Sequence, residues 1–440
     1  MEKSMQLTEE KQAKRERLAW YLYDFGNSAY AGVVLLAVYS AYFKGTVVGG
    51  ARGTWLWGLS IGIAMLVVAV ISPILGSLAD FSASKKKFLF IFTAISVFFT
   101  AMLFFVTPGS VFTGMLFFIL AEIGYRGGQV FYNLLLPEIS TPEEMDKISG
   151  NGWAIGSAGG VLCLLIVLAL IMLIGGNFII RISLVITAVF FAVSTIPLFA
   201  WYKEKASPQQ APKGSNYIKI AFSRLMDTFR AVKTQKEFIK FVVAFLIYND
   251  GVLMMLDFAA IIGAVLFGMD QQQLIIMMLI VQVTSVAGAY VFGHVADKYN
   301  GKVSLIISIL AMLAIVIILM FVQSLVGFII LAGFAGFALT GVQSVSRGLV
   351  GQFAPNGKSG EFYGLFAVAG RTSSFIGPTL YGWLAVAAAS YFVTGGQSAL
   401  LAEQSGQRVA IASIGVFLIV GLAVLLSVHI PKKRVAEISA

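Results

Sequence analysis

The sequence predicts an all-α membrane protein: twelve transmembrane helices arranged as two six-helix bundles. Three observations carry this reading. Of the 440 residues, 58% are apolar and 12% charged, against about 45–50% and about 25% in an average soluble chain. Long charge-free stretches recur along the chain, and a bilayer-spanning helix needs about 20 mostly apolar residues. The two halves also share motifs at a constant offset. Mean hydropathy is +0.88. Such a composition excludes an ordinary soluble enzyme and an intrinsically disordered chain. Two His and one Cys exclude a disulfide framework and a Cys/His metal site, so no metal and no cofactor is expected.

The expected spans are approximately 18–43, 54–79, 88–106, 110–136, 149–174, 178–202, 238–266, 271–296, 303–322, 325–353, 361–393 and 409–430. Pro108-Gly109 and Gln323-Ser324 divide two runs that are long enough for a pair each. Hydrocarbon leaves an open backbone unsatisfied, which favours helices. The alternating ten-residue segments of a β-barrel are not seen. The first span carries Asp24 and Asn27 and is long, so it reads as a retained helix rather than a cleaved leader.

Counting Lys and Arg in the loops sets the orientation. With both termini inside, the inner side holds 24 of them and the outer side 4 (Lys44, Arg52, Arg181 and Arg408); Arg126, Arg347 and Arg371 fall within spans. Both termini are therefore expected in the cytoplasm, and in a bacterium the membrane would be the cytoplasmic one. The same asymmetry accounts for the net charge of +10 without nucleic acid as a partner.

Residues 203–237 form the one long polar interruption. A Pro/Gln/Lys-rich stretch is followed by an amphipathic segment with Tyr217, Ile218, Ala221, Phe222, Leu225, Met226 and Phe229 at helical spacing. This segment reads either as a helix on the inner membrane surface, with its cations near anionic lipid, or as a solvated linker. The expected organisation is a tail over 1–17, a bundle over 18–202, the linker over 203–237, a second bundle over 238–430 and a tail over 431–440.

Gly76-Ser-Leu-Ala-Asp80 follows the second span and Gly293-His-Val-Ala-Asp297 the eighth, an offset of 217 residues. The same offset carries Ser157 onto Ser374, Gly160 onto Gly377 and Arg126 onto Gln343. A shift that holds across three helices implies parallel repeats related by an axis along the membrane normal.

With these residues in place, the chain resembles the major facilitator superfamily. Its branch is similar to the autophagy-linked vacuolar amino-acid effluxers and their bacterial homologues. The segments 19–30, 131–138, 149–156, 248–251, 341–347, 361–364 and 377–378 carry the finer match. The loop copies depart from the usual pattern: Asp80-Phe-Ser-Ala-Ser-Lys85 lacks a basic residue directly after the aspartate, and Asp297-Lys-Tyr-Asn-Gly-Lys302 has one residue more. The fifth span has Gly156-Ser-Ala-Gly-Gly160 without a proline. The resemblance implies the major facilitator fold and a polytopic permease that exports amino acids.

Ionisable groups inside a span cost roughly 2.5–3.5 kcal/mol on insertion scales, which makes them functional candidates. In the fourth span Glu122, Arg126, Gln129 and Asn133 form one polar stripe, and Glu122 can pair with Arg126. Thr340, Gln343 and Arg347 repeat the pattern in the tenth span. Arg371 lies ten residues into the eleventh. Asp250 and Asp257 share a face of the seventh span, with Asn249 beside Asp250, and Asp24 and Asn27 do likewise in the first. Either these charges only pair and hold helices together, or the stripes face an aqueous cavity between the halves. In the second case Arg126, Arg347 and Arg371 hold a carboxylate. Asp24, Asp250 or Glu122 then binds an ammonium group or carries a proton. Tyr30 and Tyr248 are the aromatic residues expected to line such a cavity. The Gly-rich stretch Gly156–Gly160 reads as a helix-packing surface.

The loop motifs suggest a gate. Gly76 and Gly293 would permit close helix contact, while Asp80 and Asp297 would accept hydrogen bonds at neighbouring helix N-termini. The alternative is an ordinary turn. Cys163 sits in an apolar run and is expected to be inert. The expected function is secondary active transport of a small polar solute, amino acids first, by alternating access in a monomer, with efflux as the direction and a proton as the candidate driving ion. No enzymatic activity is expected, and no nucleotide-binding loop is present. The alternatives are an exporter of amphipathic drugs or lipids, and a non-transporting sensor on the same fold.

Overall fold

A computed structural model describes residues 2–82, 84–141, 144–204, 235–353, 366, 370 and 374–429. Among these residues there is no strand. Twelve helices follow in order: α1 Glu2–Tyr30, α2 Gly50–Ser82, α3 Lys85–Met102, α4 Val111–Ile139, α5 Met145–Ile174, α6 Gly176–Trp201, α7 Lys236–Phe267, α8 Gln271–Lys298, α9 Gly301–Leu319, α10 Leu325–Phe353, α11 Ile376–Thr394 and α12 Ala399–Leu426. The first span continues past α1 through π-helical turns at Ala31–Ala37 and Phe43–Val48, with one α turn between them.

Eleven of these stretches are long and apolar enough to cross a membrane. The twelfth, α4, has 29 residues, about 44 Å at 1.5 Å per residue. It carries the Glu122–Arg126 pair in its middle, which lowers its apolar character. Large apolar side chains such as Phe112, Leu173 and Phe321 are exposed on the outer faces. Large apolar side chains exposed on helices of this length suit a lipid-facing surface.

Turn chemistry sets the helix ends. Gly268 closes α7 in the left-handed conformation, with φ +64°, a region glycine enters without a Cβ penalty. Two residues on, Asp270 and Gln273 form a capping box that starts α8. Asn300 caps α9 through the Val303 amide.

The packing repeats between halves. In the first half α1 packs on α5 and α6, α4 on α2 and α3, and α3 on α6. In the second half α7 packs on α11 and α12, α10 on α8 and α9, and α9 on α12. Each pair reappears six helices later, as the 217-residue offset requires. The halves meet through α2 against α11 and α5 against α8, which the same symmetry exchanges. The α2–α11 contact depends on small residues: a Cβ at Gly58 would collide with the Pro378 carbonyl, and one at Gly62 with the Thr379 hydroxyl.

Three boundaries differ from the sequence expectation, one of them the start of α1 at Glu2, well before 18. The last helix starts at Ala399 rather than near 409, and the first span runs on to Val48. Both extensions carry charges that a hydropathy reading treats as loop. Tertiary contacts neutralise them: Lys44 Nζ lies 2.5 Å from Glu403 Oε1, and Arg408 donates to the Met320 carbonyl at 2.5 Å. The amphipathic segment at 217–229 lies wholly outside the described residues, as does most of 361–375.

Candidate functional site

The membrane-embedded charges gather in two layers, each crossing from one bundle to the other. The first is built on α4. Glu122 is fully buried, and Arg126 Nε donates to its Oε1 at 2.7 Å, the one-turn pairing expected of residues four apart. The Arg126 guanidinium also lies 5.3 Å from the centre of the Tyr125 ring, and Tyr30 stacks on that ring at 4.6 Å. From the opposite bundle Asp257, 2% exposed, interacts electrostatically with Arg126 and Glu122. The Trp57 indole donates to the Asp257 carbonyl at 3.0 Å, which ties α2 to α7 at this level.

The second layer lies nearer the end that bears the termini. Asp24 on α1 and Arg347 on α10 interact electrostatically across the halves. The Asp24 carboxylate packs against Gly156 of α5, where any Cβ would collide with its Oδ2. Asn27, one turn on, is buried. Behind Asp24 stand Trp20 and Tyr23, both stacked on Tyr132 at 4.3 and 5.1 Å. The Tyr23 hydroxyl pairs with Thr93 at 2.8 Å. The two layers use exchanged helices, α1 with α10 and α7 with α4, so the internal repeat extends to the charges although their registers differ.

The structure separates other candidates. The α4 stripe does not face one environment. Gln129 is half-buried and donates to the Tyr125 hydroxyl at 2.9 Å, whereas Asn133 is exposed. On α10 Gln343 and Arg347 are exposed while Thr340 is buried. Asp250 and Asn249 are buried, with Gly377 of α11 close to the Asp250 carbonyl. Asp257 rather than Asp250 joins the Arg126 layer, because that layer sits about two helical turns further along α7. Arg371 lies outside the described residues.

Tyr30 and Tyr248, expected to line an aqueous space, are both fully buried. Tyr30 is held by the Tyr125 stack, and Tyr248 by a 2.7 Å hydrogen bond to Ser346. Gly293, expected to allow close helix contact, does not: a Cβ there meets no atom within 4 Å. The close approach of α8 to α10 falls five residues earlier, at Gly288, where a Cβ would collide with the Phe337 carbonyl. Gly76, Asp80 and Asp297 fall in the last turns of α2 and α8, and their side chains lie outside the described residues. Cys163 is buried, 3.8 Å from the Thr187 hydroxyl.

Several partners escape sequence reasoning. Gly156 reads as a packing residue, but it is the seat of the Asp24 carboxylate. Gln282 of α8 reaches the Gly160 surface of α5. At the end opposite the termini, Lys44 pairs with Glu403. There Gln407 donates to Thr54 at 2.8 Å and accepts from Tyr381 at 2.8 Å, and Gln271 donates to the Ala37 carbonyl at 2.8 Å. The Lys44–Glu403, Gln407–Thr54 and Gln271–Ala37 contacts, with that of Trp57, tie the halves together in this part of the molecule. At the terminus-bearing end the corresponding pairs stay within one half: Arg17 with Glu144 at 2.5 Å, Lys85 with Glu138 at 2.8 Å, and Lys302 with the Leu426 and Val428 carbonyls. Charges at matching ends of a predicted topology were the available signal for Lys44 and Glu403.

The family model described as "Vacuole effluxer Atg22 like" matches residues 57–437. The chain belongs to that family. It is 27% identical over 381 residues to the uncharacterized MFS-type transporter YxiO of Bacillus subtilis, covering 84% of this chain and 88% of that protein. Autophagy-related protein 22 of Yarrowia lipolytica is 23% identical over 412 residues, covering 74% of this chain and 70% of its own length. Among solved structures, a bacterial homologue of the human lysosomal transporter Spinster in an inward-facing, unoccupied conformation superposes with a TM-score of 0.71 at 14% identity, over 94% of this chain and 96% of that one. A mutant of the nucleoside transporter NupG gives 0.71 at 14% identity, over 94% of this chain and 99% of that one. This Atg22-like chain is a multi-pass membrane transporter of the major facilitator type.

Proposed function

We propose that this transporter moves amino acids out of the cytoplasm by alternating access, coupled to protons, with both termini cytoplasmic. The observation that carries the reading is the pair of charge layers spanning the two bundles. Each puts a guanidinium and a carboxylate on opposite sides of one seam. A zwitterion presents both signs to such a seam, its carboxylate to an arginine through paired N–H donors and its ammonium to an aspartate. Asp24 and Arg347 are the substrate pair, with Asn27 and Gln343 beside them in the pathway and Arg371 as a further candidate for holding the carboxylate. Glu122, Arg126, Gln129 and Asn133 stand on the α4 side, and Asn249 and Asp250 on the α7 side. The bundles, 18–202 and 238–430, rock about the α2–α11 and α5–α8 contacts. The contacts between halves gather away from the termini, which supports an inward-facing arrangement. Asp80 and Asp297 then serve as the latch of the opposite state.

Purified protein in liposomes loaded with unlabelled amino acids tests this by counterflow of labelled ones. Uptake that falls at least tenfold in Asp24→Asn and in Arg347→Ala is expected. Absence of counterflow with every amino acid class, or full uptake in both variants, would overturn the assignment. One observation favours a second reading, export of an amphipathic compound. An apolar pocket between α7, α8, α9 and α10 is lined by Met255, Ile262, Met278, Leu319, Phe328 and Leu331. Flux of a lipophilic cation without amino-acid counterflow would select it.

A further inference from the structure

The terminus-bearing end of the first bundle carries a cleft away from both charge layers, where the start of α3 packs on the end of α6. Ser84, Lys86, Lys87, Phe90, Phe199 and Glu204 line it. Its volume is about 390 Å³, within the roughly 300–1,000 Å³ of small-molecule sites. The two rings form an apolar wall: Phe90 meets Phe199 edge to face at 5.2 Å and is 55% exposed. Trp201, at the end of α6, is exposed as well. A tryptophan at the end of a span marks the boundary between acyl chains and headgroups. Phe90 follows Lys87 by three residues, about 4.5 Å deeper along α3. The lysines therefore stand on the headgroup side of that boundary and the phenylalanines on the acyl side.

Charge counting selects the ligand. Lys85, beside the cleft, is committed to Glu138 at 2.8 Å. Glu204 accepts from the Lys85 and Lys86 amides, so the helix terminus is already served and is not the receptor. Lys86 gives one of its three N–H donors to the Tyr202 carbonyl at 2.5 Å. Lys87 is exposed and forms no ion pair among the described residues. Two ammonium groups thus stand against one carboxylate, an excess of one positive charge. A phosphodiester brings one negative charge and cancels it. A choline headgroup adds its own cation and restores the repulsion. Inorganic phosphate also brings negative charge but leaves the exposed Phe90 ring uncovered, whereas an acyl chain removes it from water.

We infer that this cleft binds an anionic phospholipid from the leaflet at the terminus-bearing end, its phosphate on Lys86 and Lys87 and an acyl chain along Phe90 and Phe199. Anionic headgroups are drawn to juxtamembrane lysines, and the cleft adds a shaped apolar seat to that attraction. Both walls belong to one bundle, so binding does not depend on how the two bundles are set against each other. A ligand held by the folded chain and not by the unfolded one also raises the melting temperature. The site is independent of the transported solute and of the coupling ion.

Native mass spectrometry of the full chain, titrated in detergent with phosphatidylglycerol or with phosphatidylcholine, tests this. One phosphatidylglycerol is expected to bind at least tenfold more tightly than phosphatidylcholine and to resist displacement by inorganic phosphate at constant ionic strength. A lysine near an anionic surface is worth about fivefold in affinity, so Lys86→Gln with Lys87→Gln should weaken binding about 25-fold. Lys86→Arg with Lys87→Arg keeps the charge and should keep the lipid. Lys298→Gln removes an exposed cation at the same end of the second bundle and should change nothing. Equal affinity for the two lipids, displacement by inorganic phosphate, or equal losses in Lys87→Gln and Lys298→Gln would overturn the site, the last by showing diffuse attraction only. If the glutamine variant does not fold, a photoreactive phosphatidylglycerol with the wild type decides. Adducts within 84–90 or 199–204 support the cleft, and adducts confined to other segments refute it.

Discussion

Glu403→Gln should release the closed end of the molecule. Lys44 and Glu403 join the first span to α12 at 2.5 Å, with side chains only 10% and 12% exposed. Removing one partner of a buried pair costs about 3–5 kcal/mol, because the other charge stays desolvated. Two features reduce that figure here. Glutamine still offers Lys44 an acceptor, and the tenth of each side chain left exposed admits some water. The closed arrangement then loses about 2 kcal/mol. Once the halves part at this end both groups are hydrated in either protein, so nearly all of that cost bears on the gating equilibrium. At 1.4 kcal/mol per tenfold, the closed-to-open ratio falls about 30-fold. Spin labels at Arg52→Cys and Leu400→Cys, both exposed positions at this end, report the separation by pulsed electron resonance. The native Cys163 is buried. A long-distance population should grow in Glu403→Gln and recede in the exchanged pair Lys44→Glu with Glu403→Lys. An unchanged distance distribution in Glu403→Gln would show that the ion pair does not set the gate.

Three further outcomes follow from single contacts. Gly62→Ala forces its new methyl onto the Thr379 hydroxyl; overpacking of this kind costs about 1–3 kcal/mol, and Thr379→Ala should recover most of the lost melting temperature. If Thr379→Ala gives no recovery, the α2–α11 contact is not the one that is strained. Gly156→Ala pushes the Asp24 carboxylate from its seat, so counterflow should fall at least tenfold while gel-filtration behaviour and melting stay near wild type. At the terminus-bearing end, Glu204 accepts from the Lys85 amide at 2.5 Å and the Lys86 amide at 3.4 Å. Burial holds its carboxyl above the ordinary value of 4.5, against the pull of those amides. A raised carboxyl pKa means the fold binds the proton more tightly than the unfolded chain does. Its contribution is fully present below pH 4.5 and is lost as pH rises through the elevated value. Melting temperatures should therefore decline over that window in the wild type relative to Glu204→Gln, and parallel curves would refute the linkage.

Much of the architecture was legible in one dimension because a bilayer imposes one-dimensional rules. Apolar length gave the spans, and the 217-residue offset anticipated packing pairs that recur six helices apart. Glu122 and Arg126 were readable as partners because one helical turn separates them, and helical geometry is local. Gly293 misled because a repeated motif marks an equivalent position, not a contact; the close approach lies at Gly288. Tyr30 and Tyr248 misled because an aromatic residue near a charge can as well wall off water as border it.

The sequence by itself determined the number of spans, their division into two related sets of six, and the presence of ionisable side chains inside the spans. These follow from hydropathy and spacing along single helices. Only the tertiary structure decided which charges meet: Asp257 rather than Asp250 at Arg126, Asp24 with Arg347 against Gly156, and Lys44 with Glu403 far from both. Such meetings depend on how each helix is rotated and how far it slides against helices of the other bundle. Side-chain packing at places such as Gly58 and Gly62 sets that rotation and slide, and no spacing within one helix records it.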